Sequence, residues 1–255
     1  MPAGFVLIDI AEGRHVASKL AESWKSFFDN YRNKNAETEA DLFVQVGRTV
    51  AGKPIALDEF QHGVRHVART LGLKSDDVVF EYCCGNGLVT FEIAAMVKQV
   101  FATDFTEHLI ESARRFRQRK NISYSLGNAL EPIQSIVGTV RPTKYLMSYA
   151  LAHFEPASLS TILQNIIDVS CGASFAFLAT GIPDHSRMLN FYNTPERNAR
   201  RLENEAAGDV FNDGIGRWWR KDELIEAARS HGLTACVSPE PLELTNYRMD
   251  ALFRS

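Results

Sequence analysis

The chain has 255 residues, 45% of them hydrophobic and 23% charged, with a formal net charge of −3. That is enough chain for one large core, and the near-even charge argues against a surface coated along its length by nucleic acid. No apolar run reaches the roughly 20 residues of a membrane span, and residues 4–10 include Asp9 and lack a basic lead, so neither a span nor a secretory signal is expected.

The first 70 or so residues read as helices and polar connections. Over 14–31, Val16, Leu20, Trp24, Phe27, Phe28 and Tyr31 recur close to helical spacing. After the Gly52-Lys53-Pro54 break a second helical stretch runs from Leu57 to Leu71 and ends at Gly72. The texture then changes. Val78-Val79-Phe80 is a short apolar strand ending in Glu81, and Tyr82-Cys83-Cys84-Gly85-Asn86-Gly87 leads into a helical pattern from Leu88 to Met96. A second strand, 100–103, ends in Asp104, and a helix follows over 106–118. Strands are expected at 122–126, 145–149 and 174–179, with a helix over 156–169. Strands alternating with helices imply a mostly parallel sheet with helices on both faces.

Beyond that, alternation stops until Lys221. Thr194 suits an N-cap, Pro195 the first helical position, Glu196 and Arg200 a pair one turn apart, and Gly208 a stop. Gly214-Ile215-Gly216 leads to Trp218-Trp219, and a helix over 222–231 closes at Gly232. Strands at 234–238 and 247–253 are expected as an antiparallel pair on the sheet edge. The cysteines, Cys83, Cys84, Cys171 and Cys236, match neither a disulfide framework nor zinc-ligand spacing; reduced thiols, no metal and a cytoplasmic location are expected.

The segment from Glu81 to Gly87 sits where a strand turns into a helix, so small residues let backbone approach a ligand. A dinucleotide site would place glycine where Thr90 stands, and a phosphate-cradling loop would need Gly-Lys-Ser/Thr. Glu81-x-Cys83-x-Gly85-x-Gly87 instead resembles the E/D-x-G-x-G-x-G signature of class I S-adenosylmethionine-dependent methyltransferases. Asp104 matches the acidic residue that bonds both ribose hydroxyls in such enzymes; a carboxylate suits a vicinal diol because it accepts two hydrogen bonds. Gly127-Asn128-Ala129-Leu130 resembles the segment that edges adenine, and Ser148 through Phe154, with Leu151 and His153, the segment after strand four. Arg217-Trp218-Trp219 and Lys221 through Gly232 resemble the late helix of the family. Cys83 stands where the family has its first glycine, and Asn128 where it usually has Asp.

The resemblance implies a Rossmann-like α/β fold with an antiparallel C-terminal edge hairpin, an N-terminal helical cap over 1–72 and a cofactor-binding domain over 73–255, with an insert at 181–219 shaping the acceptor site. It implies S-adenosylmethionine as cofactor, held by Glu81, Tyr82, Cys83, Gly85, Gly87, Asp104, Phe105, Asn128, Ala129, Ser148 and Tyr149. Arg48 could clamp the methionine carboxylate bidentately. The expected reaction is methyl transfer to a small-molecule acceptor, a hydroxyl of a sugar or natural-product metabolite. A hydroxyl needs a base, and His153, His185 and Asp184 are the candidates at the strand ends. Each also has a structural reading: His153 as a cap on the next helix, Asp184-His185 as a turn. Methylation of nitrogen or of a protein, a catalytically silent cofactor-binding subunit and a dehydrogenase stay open as alternatives. A homodimer is a possible assembly, and no nucleic-acid partner is expected.

Overall fold

The computed structural model describes residues 35–50, 52–207 and 214–255. The expected helix over 14–31 and the apolar start lie outside these residues, as does Gly208.

The described residues begin with α1 (Glu39–Gln45), whose capping box joins Thr38 and Asp41, and a short hairpin of β1 (Thr49–Val50) and β2 (Lys53–Pro54). Helix α2 (Leu57–Leu71) follows. It buries Phe60, Val64, Val67 and Leu71 at helical spacing and stops at Gly72, which caps it in the left-handed conformation at φ 63°. Then come β3 (Val78–Tyr82), α3 (Leu88–Ile93), β4 (Gln99–Asp104), α4 (Glu107–Phe116), β5 (Ile122–Leu126) and α5 (Gln134–Val137). Next are β6 (Lys144–Ser148), a 3₁₀ turn at Leu151–His153, α6 (Pro156–Ser170) and β7 (Ala176–Pro183). A second 3₁₀ turn (His185–Arg187) leads through α7 (Met188–Phe191) and α8 (Pro195–Ala207) to α9 (Lys221–Ser230), β8 (Thr234–Pro239) and β9 (Arg248–Arg254).

Seven strands form one sheet in the order β5-β4-β3-β6-β7-β9-β8. Strands β3 to β7 are parallel, and β9 runs antiparallel between β7 and β8. From β3 the chain first builds outward through β4 and β5, then returns to build the other way through β6 and β7. The carboxyl ends of β3 and β6 therefore flank a topological switch point, where open α/β sheets leave a crevice.

Both faces are covered, which is why the inner strands are buried throughout rather than alternating. One face packs α6 and α9 through Leu159, Ile162, Leu163, Ile166 and Leu224. The other packs α2, α3 and α4 through Val64, Val67, Ile93 and Ile110. No helix among the described residues is long and apolar enough to cross a membrane.

Two local expectations are corrected. Strand β7 runs to Pro183 rather than stopping near 179, because a register shift between Ala179 and Ile182, with Gly181 at φ 70°, bends it without ending its pairing. In α8 the expected Glu196–Arg200 pair is not made; Arg201 pairs with Glu205 at 2.6 Å instead. Thr194 does cap the helix, its Oγ1 accepting from the Arg197 N–H at 3.3 Å.

Candidate active site

The β3–α3 loop begins with a residue in an unusual conformation. Cys83 has φ 53°, a region costing a side-chain-bearing residue about 1–2 kcal/mol. Gly85 and Gly87 follow at φ 56° and 78°. A Cβ on Gly85 would lie 3.0 Å from Val46 Cγ1, so that glycine lets the N-terminal segment close over the loop. A Cβ on Gly87 would meet the Tyr124 hydroxyl at 2.4 Å, which makes Gly87 a packing glycine as well.

Asp104, at the end of β4, is buried, and burial raises its carboxyl above the usual carboxylate range. Its two oxygens accept from the Gly85 and Thr106 N–H groups, each at 2.9 Å, and each keeps a lone pair for a further donor. Glu81, at the end of β3, accepts from Thr90 Oγ1 at 2.6 Å; burial pushes its carboxyl up to about 8. Thr90, standing where a dinucleotide loop would have glycine, is thus the partner of the strand-end acid.

The N-terminal segment is tied to this loop by Asn86, fully buried, which donates from Nδ2 to Leu42 O at 2.7 Å and to Gln45 Oε1 at 2.8 Å. Gln45 in turn donates to Ser112 Oγ on α4 at 3.0 Å. That clamp places Arg48 above the end of β6. The Arg48 guanidinium lies 3.7 Å from the centroid of the Tyr149 ring and donates to Ser148 Oγ at 3.3 Å.

Tyr149 is itself strained, with φ 58°. A bulky residue there is a genuine outlier, and such strain concentrates at functional sites. Its ring rests on Gly181, whose missing side chain makes room for it. Its hydroxyl donates to Glu240 Oε2 at 3.3 Å. Strained residues thus stand directly after β3 and directly after β6, on both sides of the switch point.

Beyond Tyr149 lies a cavity of about 460 Å³, within the range of small-molecule sites. Ser148, Tyr149 and Thr180 form its floor at the ends of β6 and β7, and Phe60 and Gly63 of α2 line one side. Arg48, Arg248 and Glu240 bring charge to it, and Phe191 and Tyr247 an aromatic wall. Glu240 is 3% exposed and also accepts from Thr180 Oγ1 at 3.4 Å; burial pushes its carboxyl up to about 7. Glu240, Arg248 and Tyr247 escape sequence reasoning, because no motif marks them and only the return of β9 alongside β7 brings them here.

The other sequence candidates are distributed as follows. Tyr82 is fully buried, its ring 4.7 Å from that of Phe80, so any part it takes in binding is through its backbone. Phe105 is half-buried beside Asp104. Asn128 is exposed and its Oδ1 accepts from the Leu130 N–H at 3.0 Å, while Ala129 is buried. His153 ends the turn after β6; burial and then the Arg248 charge push its imidazole down to about 3. Asp184 accepts from Ser186 N at 2.9 Å and Ser186 Oγ at 2.7 Å, the cap of a 3₁₀ turn, and the His185 side chain is exposed. None of these three lines the cavity. Trp219 is fully buried and donates from Nε1 to Leu151 O at 3.1 Å, whereas Trp218 joins Phe191, Tyr192 and Tyr247 in an aromatic cluster.

Comparison with known proteins bears on the same edge of the sheet. Residues 79–171 match the family model described as a methyltransferase domain. The fold is that of the class I methyltransferases. Magnesium protoporphyrin IX methyltransferase (ChlM) from Synechocystis PCC 6803, solved with bound SAH, superposes with a TM-score of 0.61 at 11% identity, covering 92% of this chain and 99% of its own. DhpI, in complex with SAM and HEP, gives 0.59 at 14% identity over 94% and 99%. A putative O-methyltransferase from Nostoc punctiforme PCC 73102 gives 0.59 at 13% over 94% and 69%. No curated protein matches the chain. The Synechocystis enzyme was also solved with bound SAM, S-adenosylmethionine, and DhpI with SAH.

The residues present suit that cofactor. Asp104 offers paired lone pairs for a diol, and Arg48 is a bidentate donor for a carboxylate.

Proposed function

We propose that this methyltransferase moves a methyl group to an oxygen of a small-molecule acceptor seated in the cavity beyond Tyr149. Asp104 holds the ribose of the cofactor, the 83–87 loop passes along its backbone, Asn128 and Ala129 edge the adenine, and Arg48 takes the methionine carboxylate. When bound, S-adenosylmethionine supplies a methyl group already activated on a sulfonium. The protein's task is then to align the acceptor, exclude water and accept a proton where the acceptor is a hydroxyl.

Glu240 fits that last role better than the candidates read from sequence. It lines the cavity, its carboxylate is the ionised form above about pH 7, and Tyr149 and Thr180 orient it. His153, held neutral with a very low basicity, is a poor proton acceptor. The single observation that carries this reading is that Asp104, the glycine loop, Arg48 and Tyr149 converge on the switch point between β3 and β6, with the cavity beside them.

Isothermal titration tests it. S-adenosylmethionine and S-adenosylhomocysteine should bind, and NAD should not. Asp104→Ala should weaken binding by about ten- to a hundredfold, the loss of charged hydrogen bonds worth about 1.5–3 kcal/mol. Tighter binding of NAD, or unchanged affinity in Asp104→Ala, defeats the assignment.

A further inference from the structure

Four acidic or basic side chains line the cavity beyond Tyr149: Arg48, Arg248, Glu59 and Glu240. Their surroundings are unequal. The two guanidiniums bracket one ring, Arg48 at 3.7 Å and Arg248 at 5.1 Å from the Tyr149 centroid. Among the described residues neither makes an ion pair. Arg48 spends one donor on Ser148 Oγ and Arg248 one on Gly181 O, out of five N–H donors each.

The acids are compensated. Glu240 is turned inward to the Tyr149 and Thr180 hydroxyls, which donate to its carboxyl group. Glu59 lies in the first turn of α2, where the exposed N–H groups of the helix offset a negative charge. With Arg48 given to the methionine carboxylate, the cavity presents Arg248, which makes no ion pair among the described residues, beside the rings of Tyr149 and Tyr247, each 5.1 Å from its guanidinium.

Resting on the reading that the cavity is the acceptor site, we infer that the acceptor is an acid: a small molecule with a planar body whose carboxylate or phosphate is held by Arg248. A forked guanidinium donates two parallel hydrogen bonds to two oxygens of a carboxylate or phosphate. Phe191, Tyr247 and Tyr149 supply ring faces for the body of the molecule. The inference also explains why Arg248, at the first residue of β9 and opposite Pro183 of β7, reaches into a site otherwise built from parallel-strand ends.

The test titrates the full chain, with and without saturating S-adenosylhomocysteine, with benzoate, phenyl phosphate and the neutral benzamide, followed by calorimetry or ligand-observed NMR. At least one anion should bind about tenfold or more tighter than benzamide, and Arg248→Gln should erase the preference while leaving S-adenosylhomocysteine affinity unchanged. Preference for benzoate marks a carboxylic acceptor; preference for phenyl phosphate marks a phosphorylated one. The inference is overturned if benzamide binds as well as the anions, if no anion binds below about 10 mM, or if the preference survives in Arg248→Gln. Any of those results with S-adenosylhomocysteine still bound leaves the methyltransferase reading standing. Absence of S-adenosylhomocysteine binding strikes that reading, while the anion titration still decides the inference.

Discussion

Substituting Gly181 by alanine tests how the floor of the site is assembled. Gly181 has φ 70°, and a Cβ there would lie 2.5 Å from Tyr149 Cγ and 2.6 Å from both Cδ atoms. Two costs follow. A left-handed backbone costs a non-glycine residue about 1–2 kcal/mol. Forcing a methyl into a ring that Arg48 and Glu240 hold from other sides is overpacking, worth about 1–3 kcal/mol. The sum is about 2–5 kcal/mol. The terms separate in a double-mutant cycle. In a Tyr149→Ala background the ring is gone, so Gly181→Ala should cost only the backbone part, and the coupling energy should be about 1–3 kcal/mol. Chemical denaturation of the four proteins, compared by midpoint and slope, gives the result. An equal cost in both backgrounds would refute the claim that Gly181 exists to seat Tyr149.

Three further expectations concern single residues. Cys171 caps α6 at φ 47° with an exposed side chain, so Cys171→Gly should stabilise by about 0.5–1 kcal/mol, a rise of about 1–4 °C in melting temperature; a fall contradicts the reading. His66 Nε2 lies 2.5 Å from Asp250 Oδ2, which raises its pKa above the ordinary 6.5. The folded value exceeds the unfolded one, so this stabilisation is complete below about 6.5 and fades as pH rises through the folded value. The melting gap between the wild type and His66→Gln should narrow from about pH 6.5 upward; a widening gap overturns the sign. For His153 the shift is the reverse: the folded state keeps it neutral down to about 3, while the unfolded chain binds a proton below about 6.5, so it costs stability as pH falls. Its ring resonances should stay flat between about pH 4.5 and 8, and a midpoint above about 5 would restore it as a candidate base.

The elements legible in the sequence are those whose signals are local. Helix α2 was readable to the residue, because Phe60, Val64, Val67 and Leu71 mark its face and Gly72 its stop. The parallel strands were readable because burial on both faces makes them short apolar runs. Helix α3 ends at Ile93, three residues short of the sequence reading: Ala95 and Met96 donate only to residues three back, a tightening that the apolar pattern through Met96 does not reveal. Hairpin β1–β2 was hidden because two-residue strands around Gly52 have no periodicity to read.

The site divides along the same line. The half proposed to hold the cofactor hangs from one loop and the strand ends beside it, so Glu81, Gly85, Gly87 and Asp104 fall in sequence order and at informative spacing. Its other half is assembled across the chain. Pro183 of β7 stands opposite Arg248 of β9, and Glu240 follows β8, so both charges reach the cavity only because β9 inserts antiparallel between β7 and β8. That insertion is decided by burial of Ala251, Leu252 and Phe253 against β7, not by any feature of Glu240 or Arg248. The apolar contacts that place β9 are thus separate from the polar ones that Glu240 makes to Tyr149 and Thr180 and Arg248 makes to Gly181 O. Substitution at Glu240 or Arg248 therefore changes the lining of the cavity through those few polar contacts and leaves the apolar pairing of β9 with β7 in place.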